Sequence, residues 1–453
     1  MSTHRARLIV ATLAILLAAT FAFAPAAHAD RRSALSGNLL IKDTDDMFFF
    51  PHTALEHVRL VTFDLALGGD DPTSGTLPND ALGSTAHFGS AGLVFGSEAT
   101  ALGLFTHRSD TWGALVPAYY LGGDIDTLSG TSKQAGLDLW PVPNHNRPTG
   151  GEELLNPLQW IDLLAAFQLG ASPLGFRLSV GHNRANSTTD ADGDIFVNEN
   201  TVWGVNAVVG YGLRGALNLD IGAEIGYGTQ DWLSDQDGDP VDVSSATGFN
   251  FSAMVRGFSN MARGVDLGFT GLLFYRSYSS TVDYENGASD GSDSNLFGID
   301  LGAGPLYHID DKFNIAAHAT LGFQRYFQDD SVETDAEDDV DAPGTYGGQF
   351  TTNSVIIPGL KISGEYRVFD WLWLRTGAQY FYDFRFSSYE PDQNTITDES
   401  LTLSGFRWVS GAGVVWQGLE MNGTFQAPFI FSGPNFIGGG SGMFGHLNVQ
   451  YRF

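Results

Sequence analysis

Apolar and polar residues alternate along many segments of the chain from about residue 57 to the C-terminus. Between Ala216 and Thr229, the apolar parity comprises Leu217, Leu219, Ile221, Ala223, Ile225 and Tyr227. The last residues alternate in the same way, with Leu447, Val449, Tyr451 and Phe453 on one parity. A period of two residues is that of a β-strand whose two faces meet different surroundings. The pattern predicts an all-β chain, although a half-buried sheet of a soluble protein would show the same alternation.

The connections between these segments separate the two alternatives. Short and long links alternate along the chain. The short links lie near 96–98, 170–173, 214–215, 259–263, 309–312, 369–370 and 418–420. The long links run roughly over 68–84, 108–156, 184–200, 230–246, 280–294, 328–349, 388–400 and 431–442. Seven short turns between eight long loops predict a single antiparallel up-and-down barrel of about 16 strands, with 14 as the alternative, in which all the long loops lie at one end.

The charge distribution has the same two-sided character. The formal net charge is −29, and the eight long links hold 34 of the 52 Asp and Glu residues but 4 of the 23 Lys and Arg residues. The rest of the chain is therefore close to neutral, as strands that cross hydrocarbon must be. This distribution predicts short periplasmic turns and long acidic extracellular loops.

The N-terminus carries the pattern of an export signal. Arg5 and Arg7 precede an apolar stretch, and Ala27, His28 and Ala29 form a small-residue cleavage site. A retained membrane helix over residues 8–27 is the alternative. We expect a signal peptide over 1–29, a periplasmic or plug segment over 30–56 and a transmembrane barrel over 57–453.

With these features the sequence resembles bacterial outer-membrane porin-like β-barrels, without matching a particular subfamily. The signal peptide, the repeated amphipathic hairpins and the aromatic-rich final strand from Gly445 to Phe453 carry the resemblance. The resemblance implies a location in the outer membrane and a final strand that the barrel-insertion machinery reads. It also implies contact with outer-membrane lipid and lipopolysaccharide. Association of three barrels into a homotrimer is a further expectation.

The segment before the first strand, 38–51, is apolar, then acidic, then aromatic. Long-chain fatty-acid transporters of the outer membrane are similar in having an N-terminal hatch inside the barrel, but they have 14 strands and this segment shows no hatch motif. Two interpretations stay open: a plug within the barrel, or a periplasmic lead-in that caps its rim.

Charged residues on the polar parity of the strands are expected to face the lumen. The predicted pore-lining residues are Arg177, Asp220, Glu224, Arg256, Asp266, Arg276, Asp300, Lys361, Glu365, Arg367, Arg375, Asp383 and Arg452. A barrel of this size can enclose water. We therefore expect a channel for passive diffusion of small polar solutes or ions. The alternatives are a plugged transporter of hydrophobic substrates and a structural or adhesive barrel with cation-binding loops.

Two loop features add further expectations. The link 108–156 is rich in aromatic residues and proline, so it is a candidate to fold inward and narrow the pore. Alternate aspartates around a glycine are candidate Ca²⁺ ligands, although such turns often form without metal. These ligands would be Asp190, Asp192, Asp194, Asp235, Asp237 and Asp239.

Other function classes have little support in the sequence. The strongly negative net charge argues against nucleic-acid binding. The chain has no cysteine, which removes thiolate metal sites and disulfides. His107 with Asp110, and His182 near Asn183, do not form a nucleophile–base–orienter set, so no catalytic residues and no enzyme activity are expected.

Overall fold

The computed structural model describes residues 31, 33–66, 88–106, 159–191, 194–215, 217–236, 239–284, 289–310, 312–333, 348–391, 397–425 and 444–453. Most of these residues belong to β-strands, and a short buried segment precedes the first strand. No helix within the described ranges has the length and apolarity needed to cross a membrane.

Strands of the described ranges form one closed barrel in which each strand pairs with its neighbours in sequence. The strands are β1 (Leu60–Ala66), β2 (Phe88–Ser97), β3 (Thr100–Thr106), β4 (Gln159–Leu169), β5 (Ser172–Ala191), β6 (Asp194–Leu213), β7 (Asn218–Gln236), β8 (Asp239–Ala262), β9 (Val265–Tyr284), β10 (Ser289–Asp310), β11 (Phe313–Glu333), β12 (Gly348–Phe369), β13 (Leu372–Pro391), β14 (Thr397–Trp416), β15 (Leu419–Phe425) and β16 (Phe444–Arg452). The first and last strands close the barrel antiparallel, with Leu60 opposite Arg452 and Ala66 opposite His446. The predicted all-β fold and its sixteen strands are confirmed.

The seven short links occur at or next to the predicted positions, although β8 runs on to Ala262 through most of 259–263 and β15 already begins at Leu419. Two residues, for example, separate β2 from β3 at Ser97 and Thr100. Gly418, with a φ of +88°, lies in the turn between β14 and β15, a backbone conformation that favours glycine. We call the end of the barrel that holds these turns the tight-turn end, and the opposite end the long-link end.

Five of the predicted long links are wrong in their boundaries. Strand β5 continues to Ala191 and β6 begins at Asp194, so most of 184–200 is paired strand, and the links at 230–246, 280–294, 328–349 and 388–400 are shortened in the same way. The amphipathic pattern fades in these stretches because Asp, Asn, Ser and Thr residues occur on both parities of the sequence. Backbone hydrogen bonds do not depend on that pattern, so the ladder runs on beyond the apolar part of the strand.

The two faces of the wall differ in the way the alternation predicts. In β3, Ala101 and Phe105 are buried inside the barrel, whereas Leu102 and Leu104 are 41% and 43% exposed on the outside. Similar outward leucines, phenylalanines and isoleucines occur on most strands. Because an apolar face costs least in contact with hydrocarbon, this outer surface suits a lipid bilayer.

The outer face of β10 shows the extent of the apolar band. On β10, the outward side chains between Phe297 and Tyr307 include Ile299 and Leu301. Ten residues of strand rise about 33 Å, and a strand tilted by about 40° then spans about 25 Å of membrane. This is the height of the apolar band of a transmembrane barrel, so the strands are long enough to cross a bilayer.

Candidate functional site in the barrel interior

The described residues that precede β1 lie inside the barrel. We call residues 31–57 the N-terminal segment. It contains 3₁₀ turns at Ser33–Leu35 and Pro51–His57 and one short helix, α1 (Asp46–Phe49). These elements are too short to be stable alone, so contacts with the wall must hold them. Leu35, Leu40, Met47, Phe50 and Ala54 are all fully buried.

Glycines on the inner face of the wall make room for this segment. A Cβ at Gly377 would lie 2.6 Å from the backbone of Leu35 and Ser36, and one at Gly210 would lie 2.6 Å from Pro51 Cδ. At Gly175 a Cβ would overlap the backbone of Pro51 and His52. The residues in contact belong to strands on opposite sides of the barrel, so the segment crosses the lumen.

One charged anchor joins the segment to β7 and β8. Arg256, which is fully buried, donates to Asp46 Oδ2 at 2.7 Å and to Asp220 Oδ2 at 3.1 Å. Asp220 also lies 3.0 Å from His52 Nε2 and accepts from Arg214 at 2.7 Å. Its carboxylate therefore contacts two cations and an imidazole, which offsets part of the cost of burying a charge.

A second charged anchor lies on β12 and β13. Arg31 Nε donates to Glu365 Oε2 at 2.8 Å, and a second bond joins the same two side chains. Arg375 Nη1 donates to Asn422 Oδ1 at 2.6 Å, and its Nε lies 3.5 Å from Glu365 Oε2. The bidentate pairing fixes the start of the segment against this side of the wall.

Other hydrogen bonds link the middle of the segment to the wall. Asn38 Nδ2 donates to Ser363 Oγ at 3.1 Å, and Thr44 Oγ1 donates to Gln450 Oε1 at 3.1 Å. Arg177 Nη1 donates to the carbonyl of Phe48 at 2.7 Å. Contacts with β5, β12 and β16 thus supplement the two charged anchors.

An apolar layer lies where the segment faces the middle of the barrel. Phe50 packs with Met254, Leu272, Phe274 and Ile356, which belong to β8, β9 and β12. Leu39, Phe49, Leu296 and Phe381 pack at the edge of this cluster. Arg256 also lies over the Phe50 ring, with Cζ 4.9 Å from its centroid. Because these residues come from both the segment and the wall, the layer depends on the docking of the segment.

Toward the long-link end, the inner wall is polar. Thr352 and Ser387 share a hydrogen bond at 3.0 Å, Ser354 donates to Asp383, and Arg385 Nε donates to Asp383 at 2.7 Å. Asn206 and Asn250 both donate to Glu224 Oε1. Each of these side chains except Arg385 and the two carboxylates is neutral, so a polar solute would meet hydroxyl and amide groups here.

The structure places the predicted pore-lining residues as follows. Nine are buried, namely Arg177, Asp220, Glu224, Arg256, Asp300, Lys361, Glu365, Arg375 and Asp383. Asp266, Arg276 and Arg367 are partly buried, and Arg452 is exposed near the tight-turn end. Five of the buried residues contact the N-terminal segment, namely Arg177, Asp220, Arg256, Glu365 and Lys361. The Lys361 contact joins Nζ to the carbonyl oxygen of Gly37 at 3.4 Å. Their role in lining a water-filled pore stays a prediction.

Several residues of this interior were not predicted from the sequence. The predicted lining consists of charged side chains and does not include Asn206, Asn250 and Ser252, which are buried on the same face. The partners of Asp46 and His52 were not predicted either. The inward glycines were an available signal, since glycine at an inner position makes room for another part of the chain.

Some expectations fall outside the described residues. The signal peptide, the link 108–156 and His107 with Asp110 lie there, as do Asp192 and Asp237. Nothing is described of the side chains of Asp190, Asp194, Asp235 and Asp239, so the Ca²⁺ sites stay a prediction. Among the described residues, no group of three His, Asp or Glu side chains is placed to hold a metal ion. His182 lies against Trp203, with ring centroids 4.1 Å apart.

Comparisons with known proteins give only distant similarities. No family model matches the chain, and no curated protein matches it in sequence. Among solved structures it is similar to the toluene transporter TodX of Pseudomonas putida, at 8% identity over 95% of this chain and 99% of that chain, with a TM-score of 0.33. It is also similar to the translocator domain of the autotransporter NalP of Neisseria meningitidis, at 15% identity over 61% of this chain and 88% of that chain, with a TM-score of 0.30. Values this low carry no ligand or partner over to this chain.

Proposed function

We propose that this protein is an outer-membrane channel for small polar solutes or ions, and that residues 31–57 close it in the conformation described above. The observation that carries the proposal is the burial of the N-terminal segment across the lumen, with charged anchors on β7–β8 and on β12–β13. The closing segment faces the tight-turn end, which in barrels of this kind is the periplasmic end.

The polar wall beyond the segment supports the choice of solute. Ser354, Thr352, Ser387 and Asn250 are buried on the inner face toward the long-link end. Such groups can exchange hydrogen bonds with water or with a hydrophilic solute at little cost, whereas an apolar molecule would leave them without partners. We therefore favour a hydrophilic solute over a hydrophobic one.

Opening requires that the segment leave at least part of its site. The apolar layer around Phe50 blocks the passage of ions as long as it is packed, since an ion in contact with it would lose its water. Moving the segment toward the tight-turn end removes Phe50 and Leu39 from that layer. The wall residues Phe274 and Ile356 then face a hydrated lumen.

The absence of native cysteine allows a direct test. Asn38→Cys combined with Ser363→Cys joins the segment to β12 when the two thiols are oxidised to a disulfide. In planar bilayers, we expect the bridged protein to lose its conductance and to regain it on reduction.

The matched control is Thr352→Cys combined with Ser387→Cys, which bridges two wall strands without touching the segment. It should conduct equally before and after oxidation. If the bridged segment variant conducts like the reduced one, the segment is not the closing element. If the unmodified protein never conducts, the channel function is rejected.

A further inference from the structure

Two adjacent rows of inward residues on β5–β9 form a polar cluster next to the N-terminal segment. In the first row, Glu224 on β7 pairs with Val208 on β6 and with Ser252 on β8. In the second row, Asn250 on β8 pairs with Gly226 on β7 and Arg276 on β9. Consecutive inward residues lie two positions apart, so these side chains are direct neighbours. Asn206 and Arg177 complete the cluster on β6 and β5.

Three oxygen atoms that β7 and β8 contribute to this cluster have no hydrogen-bond partner among the described residues. They are Glu224 Oε2, Asn250 Oδ1 and Ser252 Oγ. Their side chains belong to residues that are 2%, 6% and 4% exposed, so bulk water does not compensate for the missing bonds. The amide groups of Asn206 and Asn250 are already used to hold the other carboxylate oxygen, Glu224 Oε1. Buried acceptors in this condition are unfavourable, and a ligand with matching donors would supply the missing hydrogen bonds.

The chemistry of the three oxygens defines the matching group. Carboxylate and amide oxygens accept hydrogen bonds only, and a serine hydroxyl can accept as well. A primary ammonium group offers three donors and one positive charge. It would therefore satisfy the three acceptors together and pair with the charge of Glu224.

Positive charge lies beside these acceptors. Arg276 is the cross-strand neighbour of Asn250, and the charges of Arg177 and Arg276 both act on Glu224. A solute with an ammonium group alone would be repelled by these guanidinium groups. A solute that also carries a carboxylate would place it beside Arg276, whose planar fork suits that group.

We propose that Glu224, Asn250, Ser252 and Arg276 form a binding site for a small zwitterion of the amino-acid type, with its ammonium on the three oxygens and its carboxylate toward Arg276. This inference rests on the proposed channel function, because it names the class of solute that the lumen takes. Arg177 links the site to the closing segment, since it lies in the row of Glu224 and donates to the carbonyl of Phe48.

Binding is tested on the full-length protein in detergent, without any measurement of conductance. Glycine, methylammonium, acetate and sodium are titrated in turn by calorimetry. We expect saturable binding of glycine, and binding at least about tenfold weaker for methylammonium and acetate, since each lacks one charge-assisted contact. Glu224→Gln, which keeps the shape of the side chain, should weaken glycine binding by about tenfold to a hundredfold.

The control variant is Thr320→Val. Thr320 Oγ1 is also buried without a partner but lies on β11, outside the cluster, so glycine binding should be unchanged. Equal binding of glycine by wild type and Glu224→Gln would overturn the proposal, and so would an affinity for sodium equal to that for glycine, which would indicate a bare cation site. Absence of binding in a protein that conducts rejects the site and leaves the channel. Binding in a protein that never conducts rejects the channel and leaves the site.

Discussion

The interior of the barrel is filled differently in the tight-turn half and in the long-link half. In the tight-turn half, a separate piece of chain fills the space, and its contacts are ion pairs with Arg256 and Glu365 together with the packing of Phe50. In the long-link half, wall residues such as Thr352 and Ser387 bond to one another across neighbouring strands. Moving the N-terminal segment would break the contacts in the tight-turn half. The hydrogen bonds in the long-link half join wall strands to each other, so they would remain.

This difference separates closure from wall stability. A substitution at a contact of the N-terminal segment should release the segment and leave the barrel assembled. A substitution among the polar wall residues of the long-link half should leave the segment docked. Labelling of Ser36→Cys by a maleimide reports docking, because Ser36 is buried in the segment and the chain has no other cysteine.

The largest effect is expected at Arg256. Arg256→Met leaves the buried carboxylates of Asp46 and Asp220 without their shared guanidinium, and breaking a buried pair in this way costs about 3–5 kcal/mol. We expect rapid labelling of Ser36→Cys and a channel that is open most of the time. Arg214→Met is the matched control, because Arg214 also bonds Asp220 but its side chain is 26% exposed, so the loss should be at most about 1 kcal/mol. Equal labelling of the two variants would contradict this account.

The apolar layer should give the next effect. Phe50→Ala removes the ring from the buried cluster that also contains Phe274 and Ile356, and truncation of a fully buried phenylalanine costs about 3 kcal/mol or somewhat more. Labelling of Ser36→Cys should increase together with conductance. In the long-link half, Thr352→Val removes one hydrogen bond, worth about 1 kcal/mol, and should change neither readout. Release of the segment by Thr352→Val would show that the two halves are coupled.

A smaller effect is expected where the wall makes room for the segment. A methyl group at Gly175 would overlap the backbone of Pro51 and His52, and overpacking of this kind costs about 1–3 kcal/mol. Gly175→Ala should therefore loosen the C-terminal part of the segment in hydrogen exchange. Gly364→Ala is the control, because the nearest atom to its added methyl would lie 3.7 Å away. Protection that is unchanged in Gly175→Ala would mean that the backbone at Pro51 can shift freely.

The two halves also differ in how far the sequence determines them. Strand number, turn positions and the facing of Arg177 or Glu365 follow from a local period of two, which neighbouring residues carry. The docking of the segment depends on pairs such as Arg31 with Glu365, which lie 334 residues apart, and no local pattern encodes such a pair. From the sequence alone, a plug inside the barrel and a lead-in that caps its rim were therefore equal alternatives for residues 38–51.

The long-link half shows the opposite limitation. There the strands run on through stretches with no apolar face, such as the end of β5 near Ala191, so the period that defines the barrel elsewhere is lost. Asn250 and Ser252 were not predicted as site residues because neutral polar residues are common on the inner faces of barrels. Only the structure shows that they lie beside Glu224 and that each has an oxygen atom without a hydrogen-bond partner among the described residues.

The smallest expected effect is on the pH dependence of docking, and it concerns His57 at the end of the segment. Burial and the charge of Arg452 lower the pKa of His57 to about 4, against the opposing effect of Glu56 and Asp46. A released His57 would titrate near its ordinary value of about 6.5, so above that value the imidazole is neutral in both states and docking is unaffected. Between about 6.5 and 4, the released state binds a proton that the docked state does not, so docking weakens as the pH falls through this window. Labelling of Ser36→Cys should increase from pH 7 to pH 5, and His57→Gln, which cannot be protonated, should reduce that slope. If the slope is the same in His57→Gln, the pH dependence comes from other groups and His57 does not contribute to closure.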